Sequence, residues 1–201
     1  EAEIDFDRRS KIVLNHSSAH LLNAALINLY GSSVEQRGSF VDENKLRFDF
    51  THDDPVSLDE LQLLEDSINE QIRKNLPSVT EILTMTEAKK KGALAFFGDK
   101  YGEKVRVLTL GENFSIELCG GTHVERTGDI GFFRIIEESS IAAGVRRVEA
   151  VTGEAALKIA QQQEKSIKKI ASVLKTSSDQ VIERVNQFVV TNKTLKKEME
   201  E

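Results

Sequence analysis

The chain has 201 residues, of which 39% are hydrophobic and 30% charged, as in an ordinary folded protein. Its formal net charge of −6 excludes a broad basic surface for nucleic acid, so any RNA contact is expected to involve few phosphates. No apolar run is long enough for a membrane helix, so no membrane partner is expected. The single cysteine cannot form an internal disulfide, which favours a cytoplasmic location.

The first predicted element is a helix from near Arg8 to Tyr30. Apolar residues such as Leu14, Leu21 and Ala25 recur there at helical spacing. Gly31 follows the last turn, where a glycine commonly ends a helix.

A hairpin and a second helix are predicted next. Residues 38–41 and 46–50 alternate apolar and polar side chains on either side of a polar connection, as two paired strands do. Ser57 and Glu60 have the spacing of a capping box, and the helix that they start should end before Pro77.

The middle of the chain predicts five more strands and a short helix capped by Thr86. The strand-like segments are 79–85, 104–110, 114–118, 131–136 and 145–151. Together with the first two helices they predict an α+β fold, with a mainly antiparallel sheet packed against helices.

The last 48 residues predict a separate helical extension, because they contain neither glycine nor proline. We therefore expect two domains, residues 1–153 and 154–201. Apolar stripes predict two helices, with a capping box formed by Ser177 and Gln180 between them. Such a hairpin or coiled-coil segment suggests that a longer parent protein oligomerises through its C-terminal region.

Four scarce side chains predict a metal site. His16 and His20 lie four residues apart, which places both imidazoles on one face of a helix. Cys119 and His123 flank a glycine pair immediately after a predicted strand, where the backbone can turn tightly. Three imidazoles and one thiolate suit Zn²⁺. Either motif alone is weak, since a lone cysteine is usually a small buried residue.

Five motifs carry a resemblance to a known family. They resemble, in order and spacing, the editing domain of bacterial alanyl-tRNA synthetase over about residues 8–153, with the start of its C-terminal helical region behind. The motifs are HSSAHLLNAAL, RFDFTH, CGGTH, TGDIGFFRI and AAGVRRVEAVTG. The aminoacylation core of that enzyme is absent from this chain.

The resemblance implies a fold like the second additional domain of threonyl- and alanyl-tRNA synthetases. It implies zinc-dependent hydrolysis of Ser-tRNA(Ala) and Gly-tRNA(Ala), whose acceptor ends would be the partner. The zinc ligands would be His16, His20, Cys119 and His123, and Gln36 would line the editing pocket. Two positions depart from the family: Ala19 replaces a pocket threonine, and Asn23 stands where a histidine is common.

Several roles are open at this stage. Four protein ligands would close a tetrahedral zinc site, so the metal either loses a ligand or only positions the substrate, and we favour the second. The backbone N–H groups of Gly120 and Gly121 are candidate donors to the ester carbonyl, although turn geometry alone would explain two glycines. Thr122 and Gln36 are candidates for recognising the serine hydroxyl, although Thr122 could instead cap the loop.

Three arginines are candidate tRNA contacts, because a guanidinium binds phosphate through two parallel hydrogen bonds. They are Arg37, beside Gln36, and the pair Arg146 and Arg147. Structural ion pairs in an acidic domain are the equal alternative. Two rival functions are a free-standing editing protein of the same superfamily and a zinc-stabilised RNA-binding or oligomerisation module without catalysis.

Overall fold

The computed structural model describes residues 3–94 and 102–200, and the chain divides into two compact units, Glu1–Ala156 and Leu157–Glu201. The first unit confirms the expected α+β fold. Within its described residues, the helices that lie wholly in this unit are α1 (Phe6–Tyr30), α2 (Leu58–Lys74) and α3 (Met85–Lys90). Its strands are β1 (Gln36–Val41), β2 (Leu46–Thr51), β3 (Val79–Thr84), β4 (Lys104–Leu110), β5 (Ser115–Leu118), β6 (Phe133–Ala142) and β7 (Val145–Thr152).

The strands form two antiparallel sheets. One sheet has the order β1-β2-β7-β6, and the other has the order β3-β4-β5. The predicted alternation in β2 is confirmed, since Leu46, Phe48 and Phe50 are at most 1% exposed and belong to the main core. This sheet therefore supplies the large apolar side chains against which the helices pack.

Helix α1 is central to the first unit. It contacts α2 and strands of both sheets. From Ser17 to Leu26 its residues are buried around the whole circumference, including the polar side chains of Ser17, Ser18, His20 and Asn23. Because a buried polar group needs a partner, this stretch is where a functional site is expected.

Helix α2 shows the predicted capping box of Ser57 and Glu60 and ends at Lys74, with Asn75 in the left-handed conformation. Its buried Asn69 pairs with the backbone of Phe133: the side-chain amide donates to the carbonyl at 2.9 Å and accepts from the N–H at 3.0 Å. Asn69 thus satisfies both backbone groups of a residue in β6, an outer strand of its sheet.

The predicted cap at Thr86 is wrong, because α3 begins at Met85, two residues before the start that a cap at Thr86 implies. Thr84 caps the helix and forms a complete capping box with Glu87. A threonine three residues before a glutamate fits this motif, whereas Thr86 is adjacent to Glu87 and cannot reach the required backbone N–H.

The extension contains the two expected helices, α4 (Gly153–Leu174), which starts in the first unit, and α5 (Val181–Glu200). The predicted cap at Ser177 is wrong: the intervening turn, Ser178–Gln180, is a 3₁₀ turn, and Ser177 makes no side-chain capping bond. Gln180 instead accepts a hydrogen bond from Thr176 at 3.3 Å. Among the helices of the described residues, none has both the length and the apolar character to cross a membrane.

Candidate metal centre

The two predicted ligand pairs meet in space. One ligand atom from each of His16, His20, Cys119 and His123 lies within 4.8 Å of the others. The histidines of the first pair project from α1, and the second pair lies on the loop that leaves β5. Because a sheet end and a central helix converge here, side chains about 100 residues apart form one cluster.

The first two histidines are oriented by their Nδ1 atoms. The Nδ1–H of His16 donates to the carbonyl oxygen of Thr122 at 3.3 Å, and its Nε2 lies 3.6 Å from Cys119 Sγ. The Nδ1–H of His20 donates to Glu117 Oε2 at 2.5 Å. In each ring, therefore, Nε2 is the nitrogen that remains for a metal, which is the arrangement usual in metal sites.

Glu117 is a buried carboxylate behind the cluster. It is 1% exposed and accepts hydrogen bonds from His20, from Asn23 Nδ2 at 2.9 Å and from Ser115 Oγ at 3.3 Å. Burial alone would lower the pKa of His20, but the adjacent Glu117 carboxylate and the Cys119 sulfur raise it to about 10. A metal cation binding to His20 would therefore displace a proton.

The residues present fit a metal ion. Within the described part of the chain, His20 Nε2 and both ring nitrogens of His123 are buried without a hydrogen-bond partner. Such atoms are costly unless something else binds them. Burial alone would raise the pKa of the Cys119 thiol, but contacts with the three histidines lower it to about 3, which favours the thiolate form that binds metals.

One distance in the cluster also agrees with tetrahedral coordination. Around zinc, a sulfur and a nitrogen ligand are separated by about 3.5 Å, close to the 3.6 Å between Cys119 Sγ and His16 Nε2. The N–H of Gly121 donates to the same sulfur at 3.4 Å and stabilises its negative charge. The cluster can therefore hold a metal ion.

Arg106 on β4 holds the loop that carries the second ligand pair. Its guanidinium Nη1 donates to the carbonyl oxygens of Cys119 at 2.7 Å and Gly121 at 2.9 Å. Its own carbonyl accepts from the Cys119 N–H at 3.1 Å. These three bonds fix the backbone on both sides of the thiolate.

The two glycines of this loop differ in what surrounds them. A Cβ on Gly121 would lie 2.8 Å from His16 Nδ1 and closer still to the neighbouring ring carbon. A Cβ on Gly120 would have no atom within 4 Å. Gly121 is therefore required for the close approach of the loop to the His16 ring, whereas a Cβ at Gly120 would face open space.

The other predicted site residues lie at different distances from the four candidate ligands. The Thr122 hydroxyl accepts from Arg9 Nη2 at 3.3 Å, next to the cluster. Ala19 is 6% exposed and belongs to the main core. Gln36 and Arg37 are on β1, and no hydrogen bond or ring contact of the described residues joins them to the cluster; Arg37 pairs with Glu35 at 3.2 Å.

Arg146 and Arg147 both lie on β7 in bidentate ion pairs. Arg146 contacts Glu138 at 2.5 and 2.7 Å, and Arg147 contacts Asp49 at 2.7 and 2.8 Å. Both arginines thus form structural ion pairs, which was the alternative to tRNA binding. Their role in tRNA binding stays a prediction.

Sequence reasoning missed Glu117, Arg106 and Arg9. For Glu117 a partial signal was present: it stands two residues before Cys119, near the end of a short strand, and a buried charged residue indicates a special partner. The arginine contacts depend on loop backbone positions, for which the sequence has no comparable pattern.

Part of the chain matches a family of known domains. Residues 105–149 match the family described as "Threonyl and Alanyl tRNA synthetase second additional domain". This segment runs from β4 to β7 and includes the loop with Cys119 and His123.

Nearly the whole chain is similar to alanine–tRNA ligases. It is 54% identical to the enzyme of Idiomarina loihiensis over 188 residues, which are 94% of this chain and 22% of that relative. It is 50% identical to the enzyme of Saccharophagus degradans over 196 residues, which are 98% of this chain and 22% of that relative. The resemblance expected from the motifs is confirmed: the chain is homologous to one segment of alanyl-tRNA synthetases and spans about a fifth of their length.

Proposed function

We propose that this chain is a zinc-dependent editing hydrolase that removes serine and glycine from mischarged tRNA(Ala). The observation that supports it most strongly is the cluster of His16, His20, Cys119 and His123 in a homologue of alanine–tRNA ligases. Hydrolysis adds water across the ester bond and releases the free amino acid and a tRNA with a free ribose hydroxyl. The tRNA acceptor end is thus the proposed partner.

Zinc would be held by the thiolate and the three imidazoles. When bound, it would supply a positive charge that polarises or orients the substrate. Four protein ligands leave no open position in a tetrahedral site, so we retain the positioning role. The protein itself supplies the second set of contacts, through Glu117 and the Thr122 carbonyl, that keeps the imidazoles in place.

The backbone of the loop supplies a donor for the ester carbonyl. The N–H of Gly121 already donates to Cys119 Sγ, whereas the N–H of Gly120 donates to no acceptor among the described residues. We therefore assign stabilisation of the developing oxyanion to Gly120. Arg106 positions this N–H, since it binds the carbonyls on both sides of Gly120.

Discrimination against alanine requires polar groups aimed at the serine hydroxyl. Alanine would leave such groups without partners, which can separate two substrates by a factor on the order of 10⁴. Thr122 is the better placed of the two predicted candidates, because its backbone contacts His16. Gln36 retains a proposed role as a pocket residue, and Ala19 as the position where the family has threonine.

The test is deacylation of Ser-, Gly- and Ala-tRNA(Ala) by the purified chain, with zinc content measured on the same preparation. We expect hydrolysis of the first two substrates, little hydrolysis of the third, and about one zinc per chain. Deacylation no faster than in buffer would contradict the proposed hydrolase. RNA binding without hydrolysis would favour a zinc-stabilised RNA-binding module instead.

The matched variant is Cys119→Ala, which removes one ligand and adds no bulk. We expect lower zinc content together with lost deacylation, because the loss of one of four ligands weakens the site strongly. Unchanged zinc stoichiometry in this variant would refute the assignment of Cys119 as a ligand. A native start codon shortly upstream in the gene would favour the free-standing editing protein over a segment of the ligase.

A further inference from the structure

Arg9 lies on the same face of α1 as the metal-binding histidines. It precedes His16 by seven residues, which is two helical turns, and its side chain is exposed at the end of the helix that leads to the cluster. Its guanidinium donates to the Thr122 hydroxyl at 3.3 Å, while the Thr122 carbonyl accepts from His16. Two successive hydrogen bonds, both made by Thr122, therefore connect Arg9 to the proposed metal ligand His16.

The charge of Arg9 is not neutralised by a carboxylate among the described residues. Its neighbour Arg8 pairs with Glu43 at 3.2 Å, and Arg37 pairs with Glu35. A guanidinium has five N–H donors, and the bond to Thr122 uses one of them.

We propose that Arg9 binds a backbone phosphate at the 3′ end of the RNA whose ester the site hydrolyses. This inference rests on the proposed function, since it takes the substrate to be an aminoacyl ester on the terminal ribose. Such an ester is always attached to a phosphodiester chain, so a substrate at the cluster brings a phosphate to its rim. Arg9 supplies the cation there, and its remaining donors match the phosphate oxygens.

The contact also explains why the guanidinium is anchored. A flexible arginine loses conformational freedom when it binds, and the hydrogen bond to Thr122 removes part of that freedom in advance. Because the same threonine contacts His16, the phosphate position is fixed relative to the metal ligands. Arg9 thereby sets how far the RNA end reaches into the site.

Binding of an unacylated RNA hairpin with the tRNA(Ala) acceptor end tests the inference without requiring hydrolysis. We expect Arg9→Ala to weaken binding about tenfold and to lower the slope of log affinity against log salt by about 0.7. Arg8→Ala is the matched control: it removes the same charge one residue earlier, and binding should change less than twofold. Equal losses in both variants would overturn the proposal.

A change on the RNA identifies the phosphate. Uncharged methylphosphonate linkages, placed singly at the last three positions, should weaken binding to the unaltered chain at one position. At that position, Arg9→Ala should cause no further loss, because the two changes remove the same contact. Losses that add at every position would overturn the proposal, and so would a fall in metal content of Arg9→Ala, which would assign the residue to maintenance of the site.

Kinetics separate this inference from the proposed hydrolysis. In deacylation, Arg9→Ala should raise KM about tenfold with kcat within twofold, and Arg9→Lys should recover part of the loss. If the unaltered chain binds RNA through Arg9 but does not hydrolyse the ester, the hydrolase proposal fails and the phosphate contact stands. If hydrolysis occurs and Arg9→Ala matches the unaltered chain in both assays, the phosphate contact fails alone.

Discussion

Replacement of Glu117 by glutamine tests whether the buried carboxylate prepares His20 for a metal. The carboxylate accepts from His20 Nδ1–H through one oxygen and from Asn23 Nδ2 through the other. Glutamine has nearly the same shape but only one acceptor oxygen, and its amide nitrogen is a donor. Either His20 or Asn23 must then face the amide nitrogen, which is also a donor. Since residue 117 is only 1% exposed, water cannot easily supply the missing acceptor.

The magnitude follows from that mismatch. A buried donor left without an acceptor costs about 1–3 kcal/mol. If His20 is the partner that loses its acceptor, the ring is no longer held with Nε2 towards the cluster, and metal affinity falls. Loss of such supporting contacts typically lowers metal affinity by about 10–100-fold, which agrees with that energy at about 1.4 kcal/mol per tenfold.

The assay is zinc affinity measured by competition with a chromophoric chelator at constant pH, with the Co²⁺ absorption spectrum as a report on ligand geometry. We expect Glu117→Gln to raise the zinc Kd by about 10–100-fold and to alter the Co²⁺ spectrum. Glu149→Gln is the control, because it makes the same change in a half-buried carboxylate that pairs with Lys45. A folded Glu117→Gln protein with unchanged zinc affinity would refute the reasoning.

The remaining predictions concern the loop and the edge of the sheet. Gly121→Ala should lower metal affinity at least tenfold, because the added Cβ displaces the His16 ring. Gly120→Ala is the control and should leave metal affinity within twofold. Equal effects of the two substitutions would show that the clash is not the cause. Arg106→Ala should lower kcat for deacylation more than it lowers zinc content. Arg106→Lys should not restore kcat, because one ammonium group cannot reproduce the hydrogen bonds to the carbonyls of both Cys119 and Gly121. Asn69→Leu should lower the free energy of unfolding by about 2 kcal/mol or more in urea denaturation, since two buried backbone groups lose their partner, and a smaller loss would mean that water replaces the amide.

The elements of this fold were largely predictable, because their determinants are local. The alternation in β2 and the spacing of Ser57 and Glu60 depend on residues at most five positions apart, and the structure confirms both. The capping box at Thr84 and Glu87 obeys the same local rule, so the sequence already contained the pattern that identifies Thr84, and not Thr86, as the cap. At Ser177 the motif was present, but the chain forms a 3₁₀ turn and Ser177 makes no side-chain capping bond.

Partners that join distant segments were less predictable. Arg146 and Arg147 looked equally suited to phosphate and to ion pairs, and only the sheet registers brought Glu138 and Asp49 into contact with them. Arg9 and Arg106 gave no motif, because each binds groups on a loop that is remote in sequence. Neither type of contact has a period or spacing that a single sequence displays.

By itself, the sequence determined the chemistry of the candidate site: three imidazoles and one thiol, in two short motifs whose spacing suits a helix and a tight turn. The tertiary structure decided that the ligand atoms of these motifs lie within 4.8 Å of one another. It also decided which ring nitrogen of His16 and His20 faces the cluster, through the hydrogen bonds to Thr122 and Glu117. Of the two glycines, only Gly121 is sterically required by the packing of the loop. The physical reason is that ligand identity is a property of side chains. Ligand orientation depends instead on hydrogen bonds between residues about 100 positions apart, and these exist only once α1 and β5 have packed together.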